Sequence, residues 1–214
     1  MTSKRLPTGG DVRVSNDDGR MAAVLVNGGA AKSVPGTWSA TSELLVRELA
    51  PRFPAIRFVE VRYRLKSWRA LDSCVADGRA ALTAAGGART LLIGFSLGGA
   101  VAVRVASTEG VAGVLGLAPW LPPELTLDGL RGKRLDVVHG SWDWNLPGIP
   151  GVSPAHSRAG WERAWRLGVP GTYTVIPRGL HGCALRSRRG GLVRLPRWPD
   201  WVAATAATLA ELAG

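Results

Sequence analysis

Cysteine is nearly missing from this chain: Cys74 and Cys183 are the two thiols in 214 residues. That is too few for a disulfide framework or a thiolate metal cage, so the expectation is a reduced, cytoplasmic protein. No apolar run approaches the roughly 18 residues needed to cross a bilayer. The opening segment, MTSKRLPTGGDVRVSNDDGR, lacks the apolar stretch of a secretory signal. Charged residues are also sparse, at 20% against 46% hydrophobic, which excludes a disordered chain and supplies material for a core. Acidic residues are outnumbered, 16 to 27 basic, for a net charge of +11. Such an excess can serve a polyanion. Here, however, the basic residues are nearly all arginine and run from Arg5 to Arg197. They cluster only at Arg186, Arg188, Arg189, Arg194 and Arg197, around Gly190 and Gly191. No nucleic-acid-binding module accompanies them, so neither a specific nucleic acid nor a membrane is an expected partner.

What is present is alternation. Short apolar runs at 21–26 (MAAVLV), 56–61 (IRFVEV), 90–94 (TLLIG), 111–118 (VAGVLGLA), 135–139 (LDVVH) and 172–177 (TYTVIP) read as strands, with 12–15 as a possible edge strand. Between them lie helical periods. Over 71–85, apolar or small residues fall at 71, 74, 75, 78, 81, 82 and 85, followed by Gly86 and Gly87 as a stop. Further helices are predicted over 39–49, over 97–106, from Ser153-Pro154 to Leu167, and after Asp200, which reads as the cap of a final helix with Trp201, Thr205, Thr208, Leu209 and Leu212 inward. The reading is α/β: one domain over 11–214, a mostly parallel sheet of about six to seven strands with helices on both faces, after a flexible terminus at 1–10.

The strongest chemical signal is Gly94-Phe95-Ser96-Leu97-Gly98-Gly99. It fits G-x-S-x-G, with a buried strand before it and a helix after it, the context in which a serine is exposed on a tight turn. A serine hydroxyl needs a base. Of the three histidines, His181 lies in R-G-L-H-G-C beyond the last strand, at the sheet edge where open α/β folds gather their functional groups. His139 reads as a core histidine inside a strand, and His156 as a surface residue. Asp143, in H-G-S-W-D after the strand at 135–139, is the candidate acid; Asp136 lies at the wrong strand end, Asp128 in a connection, and Glu124 is the rival. The chain order Ser96, Asp143, His181 differs from the chymotrypsin-like and subtilisin-like orders. Oxyanion donors are expected at the Leu97 amide and in Asn27-Gly28-Gly29-Ala30, at Gly29 or Ala30. Trp38, Trp120, Trp142 and Trp144 are candidates for a substrate pocket. No H-x-x-x-H, C-x-x-C or phosphate-binding glycine motif occurs, so no metal and no organic cofactor are expected.

With these parts in this order, the sequence resembles the α/β-hydrolase superfamily of serine hydrolases from about Met21 onward. It is most similar to small uncapped members, dienelactone-hydrolase-like and carboxylesterase- or thioesterase-like proteins with G-F-S-x-G-G elbows. The resemblance implies Ser96 as nucleophile, Asp143 as acid and His181 as base. Two departures stand out: dienelactone hydrolases proper carry cysteine where this chain has Ser96, and the His-Gly pair of many members is Asn27-Gly28 here. Ser96 also argues against the dehalogenases and epoxide hydrolases of this fold, which use aspartate. The implied activity is hydrolysis of a short- or medium-chain carboxylic ester. A thioesterase or amidase acting on an anionic substrate such as an acyl-CoA is the alternative, and a non-catalytic ligand-binding protein is a further one. The 119–134 segment is too short and proline-rich for a covering lid, and 146–154 reads as a stiff rim loop.

Overall fold

The computed structural model describes residues 2–86, 89–144 and 151–213. Strands and helices alternate as the periodicity predicts: β1 (Thr2–Arg5), β2 (Asp11–Ser15), β3 (Met21–Val26), β4 (Val34–Pro35), α1 (Ala40–Leu49), β5 (Ile56–Arg62), β6 (Leu65–Lys66), α2 (Leu71–Ala85), β7 (Thr90–Phe95), α3 (Gly98–Val105), β8 (Val111–Leu117), β9 (Arg134–Gly140), α4 (Pro154–Arg166), β10 (Tyr173–Ile176), β11 (Ala184–Arg186), β12 (Leu192–Arg194) and α5 (Trp198–Ala213). Eight strands form one sheet in the order β1-β2-β5-β3-β7-β8-β9-β10. From β5 to β10 neighbours are parallel; β2 runs antiparallel to both β1 and β5.

The near-continuous apolar runs have a plain cause: the central strands are covered on both faces. Along β3, Ala22, Val24 and Val26 join a core with residues of α2 and α3, including Val75, Leu82, Val101 and Val105. Ala23 and Leu25 point the other way, into a core with Leu45 and Leu49 of α1 and Trp201 and Leu209 of α5. The chain leaves β3 toward β5 through α1, then crosses back over β3 to β7 through α2. The ends of β3 and β7 therefore flank the point where the winding direction reverses, which is where ligand crevices form in open α/β sheets. No helix among the described residues is long and apolar enough to cross a membrane.

Three elements differ from the sequence reading. Residues 1–10 are read there as a flexible terminus, but Thr2–Arg5 pairs with β2 as an edge strand, and 12–15 is thereby interior. All four residues of β1 are exposed, so no apolar alternation announces it. The last helix begins at Trp198, with Asp200 in its first turn beside Arg197 at 3.0 Å and not at the cap; Pro199 suits a first helical turn, where no backbone donor is needed. Four of the five clustered arginines fall on a β11–β12 hairpin that has no strong apolar period, and Arg197 lies just beyond it. The other ends lie close to expectation: Ser39 and Ser153 cap α1 and α4 through their hydroxyls, and Gly86 takes the left-handed position after α2. Gly87 and residues 145–150 lie outside the described residues, and with them most of the 146–154 loop.

Trp201 is fully buried between α5, α1 and the sheet. Trp201→Ala should cost about 3–5 kcal/mol, read as a lower urea midpoint with an unchanged slope; a shift of only a few tenths would mean that α5 contributes little to the core.

Candidate active site

The turn between β7 and α3 holds Ser96 at φ 54°. That left-handed conformation is costly for a residue with a side chain, about 1–3 kcal/mol, and persists only where surroundings enforce it. They do so through three backbone bonds. The Ser96 N–H donates to the Leu117 carbonyl (3.0 Å), and the Ser96 carbonyl accepts from the Gly99 and Trp120 amides (2.9 and 2.8 Å). The glycines of the motif are required by contact. A Cβ at Gly94 would strike the Gly98 backbone, one at Gly98 the Val26 carbonyl, and one at Gly99 the Pro119 ring. The turn can close only because all three lack side chains. The result sets Ser96 at the start of α3, on the carboxyl edge of the sheet, with backbone amides around it.

A second loop, after β3, lies against this turn. Asn27 pins it: its side-chain amide donates to the Thr37 carbonyl (2.7 Å), its side-chain oxygen accepts the Gly28 amide (2.6 Å), and its backbone carbonyl accepts the buried Tyr63 hydroxyl (3.0 Å). A Cβ on Gly28 would sit 3.4 Å from the Ser96 Cβ, and one on Gly29 2.7 Å from Leu97 Cδ2. The Gly28 amide is thus used internally. Among the described residues the amides of Leu97, Gly29 and Ala30 donate to no protein group.

Asp143 follows β9 in a turn tied to the loop after β10. Ser141 N–H donates to the Ile176 carbonyl (3.0 Å), Trp142 N–H to the Gly179 carbonyl (2.9 Å), and Asp143 N–H to the Gly140 carbonyl (3.1 Å). This brings the His181 Nδ1 to 2.6 Å from Asp143 Oδ2. The His181 ring packs at 4.9 Å from the ring of Phe95, the residue before Ser96. Gly182, at φ 84°, lets the chain pass between Phe95 and Thr41, where a Cβ would crowd both. The structure joins Asp143 to His181 directly and brings His181 beside the turn; among the described residues no hydrogen bond links the Ser96 hydroxyl to His181. Burial pushes the Asp143 carboxyl up, but hydrogen bonds from His139 and His181 outweigh it and hold the group below the ordinary carboxylate range.

His139 is buried, as its place in a strand suggests, yet its Nε2 lies 2.9 Å from the same Asp143 oxygen. The i, i+4 spacing of His139 and Asp143 across the strand end was the available signal. The remaining acids lie elsewhere: Asp136 binds Arg134 and Thr172 at the far end of β9, Asp128 pairs with Arg131, and Glu124 is exposed. Cys74 and Cys183 are buried, and burial pushes their thiols up to about 11 and about 12, too high for a nucleophile at neutral pH. Among the described residues no group of three His, Cys, Asp or Glu side chains could hold a metal ion.

Beside the turn lies a cavity of about 570 Å³ walled by Trp68, Trp120, Trp144, Gly151, Val152, Ser153 and His156. Trp120 and Trp144 are among the expected pocket residues. Trp68 is not; it stacks on Trp120 (centroids 6.4 Å apart) and touches Gly29, a neighbour that only the fold supplies. Trp142 stacks behind Trp144 at 6.4 Å. Trp38 lies elsewhere, in a cavity with Arg13, Glu43, Arg62 and Arg186, with the Arg13 and Arg62 guanidiniums 4.6 and 5.4 Å above its ring. His156, read as a surface residue, lines the tryptophan cavity from α4. A slightly larger cavity, about 630 Å³, lies between β1 and α2 and brings together none of these residues, so volume alone does not locate the site.

No family model and no curated protein matches the sequence. Solved structures do match in shape. An α/β hydrolase from a Medee basin deep-sea metagenome library is 19% identical over 99% of this chain and 96% of its own, with a TM-score of 0.70. A sugar hydrolase from Lactococcus lactis is 15% identical over 99% of each chain, at 0.71. The chain has the α/β-hydrolase fold. A lidless α/β serine hydrolase from Xanthomonas campestris, 19% identical over 84% of this chain and 85% of its own at 0.59, shares that fold as well. Within it, the Ser96 turn, the Asp143 turn and the His181 loop converge on one edge of the sheet.

The Asp143 carboxyl is depressed in the folded state, so ionisation adds stability above the unfolded value of about 3.9, and that share is lost as pH falls through the folded value. Asp11 and Glu43 are depressed too, but they are common to wild type and variant. Asp143→Asn should therefore show a shallower loss of stability on acidification than wild type in urea unfolding below about pH 4; parallel curves would contradict the assigned environment.

Proposed function

We propose that the protein is a serine hydrolase that cleaves a carboxylic ester of short or medium acyl chain through an acyl-serine intermediate. The observation that carries the reading is the 2.6 Å bond between Asp143 and His181, with the His181 ring against the strained turn that presents Ser96. Asp143 holds the proton on Nδ1, which leaves Nε2 free to accept. His181 takes the Ser96 proton as Oγ attacks the ester carbonyl, and the Leu97 amide with that of Gly29 or Ala30 receives the oxyanion. The imidazolium then protonates the leaving alcohol. Water, deprotonated by His181, attacks the acyl-serine, and collapse returns the acid and free Ser96. The bond from His181 to Ser96 closes when substrate is bound, as catalytic contacts often do. The hydrolases and esterases that share the fold support this class of activity.

An ester is favoured over an acyl-CoA by the fate of three of the five arginines that follow His181. Arg186 binds Glu43 at 2.6 Å, Arg194 binds Glu48 at 2.7 Å, and Arg197 pairs with Asp200 at 3.0 Å. Charges already matched within the protein offer less to an anionic substrate.

A fluorophosphonate probe should label Ser96 in wild type. Ser96→Ala should abolish labelling, and both Ser96→Ala and His181→Ala should remove nearly all ester turnover, with the double variant little worse than either single one. A folded protein that takes up no probe would identify a non-catalytic binder on this fold.

The segment 119–134 that could carry a lid holds a single 3₁₀ turn, Asp128–Leu130. An uncovered site loses about 0.8 kcal/mol for each methylene it leaves in water. Across p-nitrophenyl esters of rising length, kcat/KM should peak at short or medium acyl chains and saturate simply; a rate that jumps at the solubility limit, or a preference for long-chain triglycerides, would contradict an open site.

A further inference from the structure

Asp143 Oδ2 is shared. It accepts from His181 Nδ1 at 2.6 Å and from His139 Nε2 at 2.9 Å, while Oδ1 is buried without a partner among the described residues. His139 Nε2 also lies 2.8 Å from the Val152 carbonyl. A carboxylate and a carbonyl can only accept, so Nε2 carries the proton whatever the charge of the ring. Its other nitrogen, Nδ1, is 2.6 Å from the Ser157 hydroxyl, which can donate to a neutral ring or accept from a protonated one. Ser157 in turn lies 2.8 Å from the Tyr173 hydroxyl, which donates to the Pro154 carbonyl at 2.9 Å. His139 and Ser157 are both fully buried. One imidazole thus fastens the acid turn after β9, the cavity wall at Val152 and the first turn of α4.

Building on the serine-hydrolase reading above, we propose that His139 is a positioning residue for the catalytic acid: its Nε2–H fixes which oxygen Asp143 offers to His181, and Ser157 holds the His139 ring in that orientation. Without this donor the carboxylate is free to rotate toward the unpartnered Oδ1. It also becomes a stronger acceptor and holds a proton on His181 more tightly. The remaining titratable groups next to the pair are Tyr173 on β10, with Arg158 over its ring and Glu162 near it, and His156 on α4, which feels Arg163 and the more distant Glu124. All are retained in the variants below, so they do not account for a difference between them.

The test follows the rate at which a fluorophosphonate probe labels Ser96 as a function of pH, which needs no knowledge of the natural substrate. His139→Phe keeps the ring volume and removes the donor. It should slow labelling about tenfold or more, the weight of one hydrogen bond to a charged group, and move the acid limb of the profile to higher pH. His139→Gln, which restores a side-chain N–H, should recover part of the rate and return the limb toward wild type. Ser157→Ala should slow labelling severalfold, because the ring loses its anchor. Circular dichroism and Tm establish that each variant is folded; if His139→Phe does not fold, Ser157→Ala decides. Labelling rate and limb unchanged in folded His139→Phe, or in Ser157→Ala where that variant decides, would overturn the proposal while leaving the serine-hydrolase reading intact. Failure of wild type to label would instead remove that reading itself.

Discussion

Ser96 sits where the backbone of three segments meets with no room for side chains. Gly94 passes Gly98, Gly98 passes the Val26 carbonyl, and Gly99 passes Pro119, each at a distance that excludes a Cβ. This crowding ties the end of β7 to the ends of β3 and β8, so the strained φ of Ser96 is a consequence of how closely the central strands finish together. The bond from Ser96 to the Leu117 carbonyl and those from the Gly99 and Trp120 amides to Ser96 then hold the turn as part of the sheet. Strain of this kind is stable only when the surroundings leave no alternative. The loop after β3 is held at the same spot by Asn27, whose side-chain amide donates to the Thr37 carbonyl and whose side-chain oxygen accepts the Gly28 amide.

Asp143 and His181 rely on a different device. Asp143 is buried, a position that by itself favours the neutral carboxyl, and two imidazole donors reverse the preference. Glu60 shows what happens with weaker compensation. It is buried beneath Arg13, and its carboxyl remains raised by desolvation despite that partner. The comparison separates a carboxyl held low by two imidazole donors at the sheet edge from one that pairs with Arg13 to anchor β2 and β5 to each other. Arg13 also binds Glu43 of α1, which in turn takes Arg47 and Arg186, so three arginines and two glutamates form a structural network beside Trp38.

Much of this was legible from the chain. The strand and helix periods of the central elements, the G-x-S-x-G turn and the order of Ser96, Asp143 and His181 are local or linear properties. They survive translation into three dimensions because each motif lies at a strand end. Each miss has its own cause. β1 is exposed on both faces, so it forms through backbone pairing that hydrophobicity does not report. The final helix starts ahead of Asp200 because Pro199 is compatible with a first turn. Trp68 and Trp38 exchange places as cavity neighbours of the turn because their positions depend on how β6 and the loop after β3 pair, through Val34 and Lys66.

By itself the sequence determined the fold class, the strained turn and the types of group available to it, since these follow from short-range pattern and from glycines that sterics demand. Tertiary structure alone decided the partners. Asp143 and His181 are separated by 38 residues, and Ser157 meets His139 across 18. Such pairs are set by strand register and by the packing of α4 against β9. That packing carries His156 from an apparent surface segment to the cavity wall, and it makes His139, a histidine with every mark of a core residue, the second donor to Asp143. A hydrogen bond depends on direction and a few tenths of an ångström, and neither is a property of any stretch of sequence taken alone.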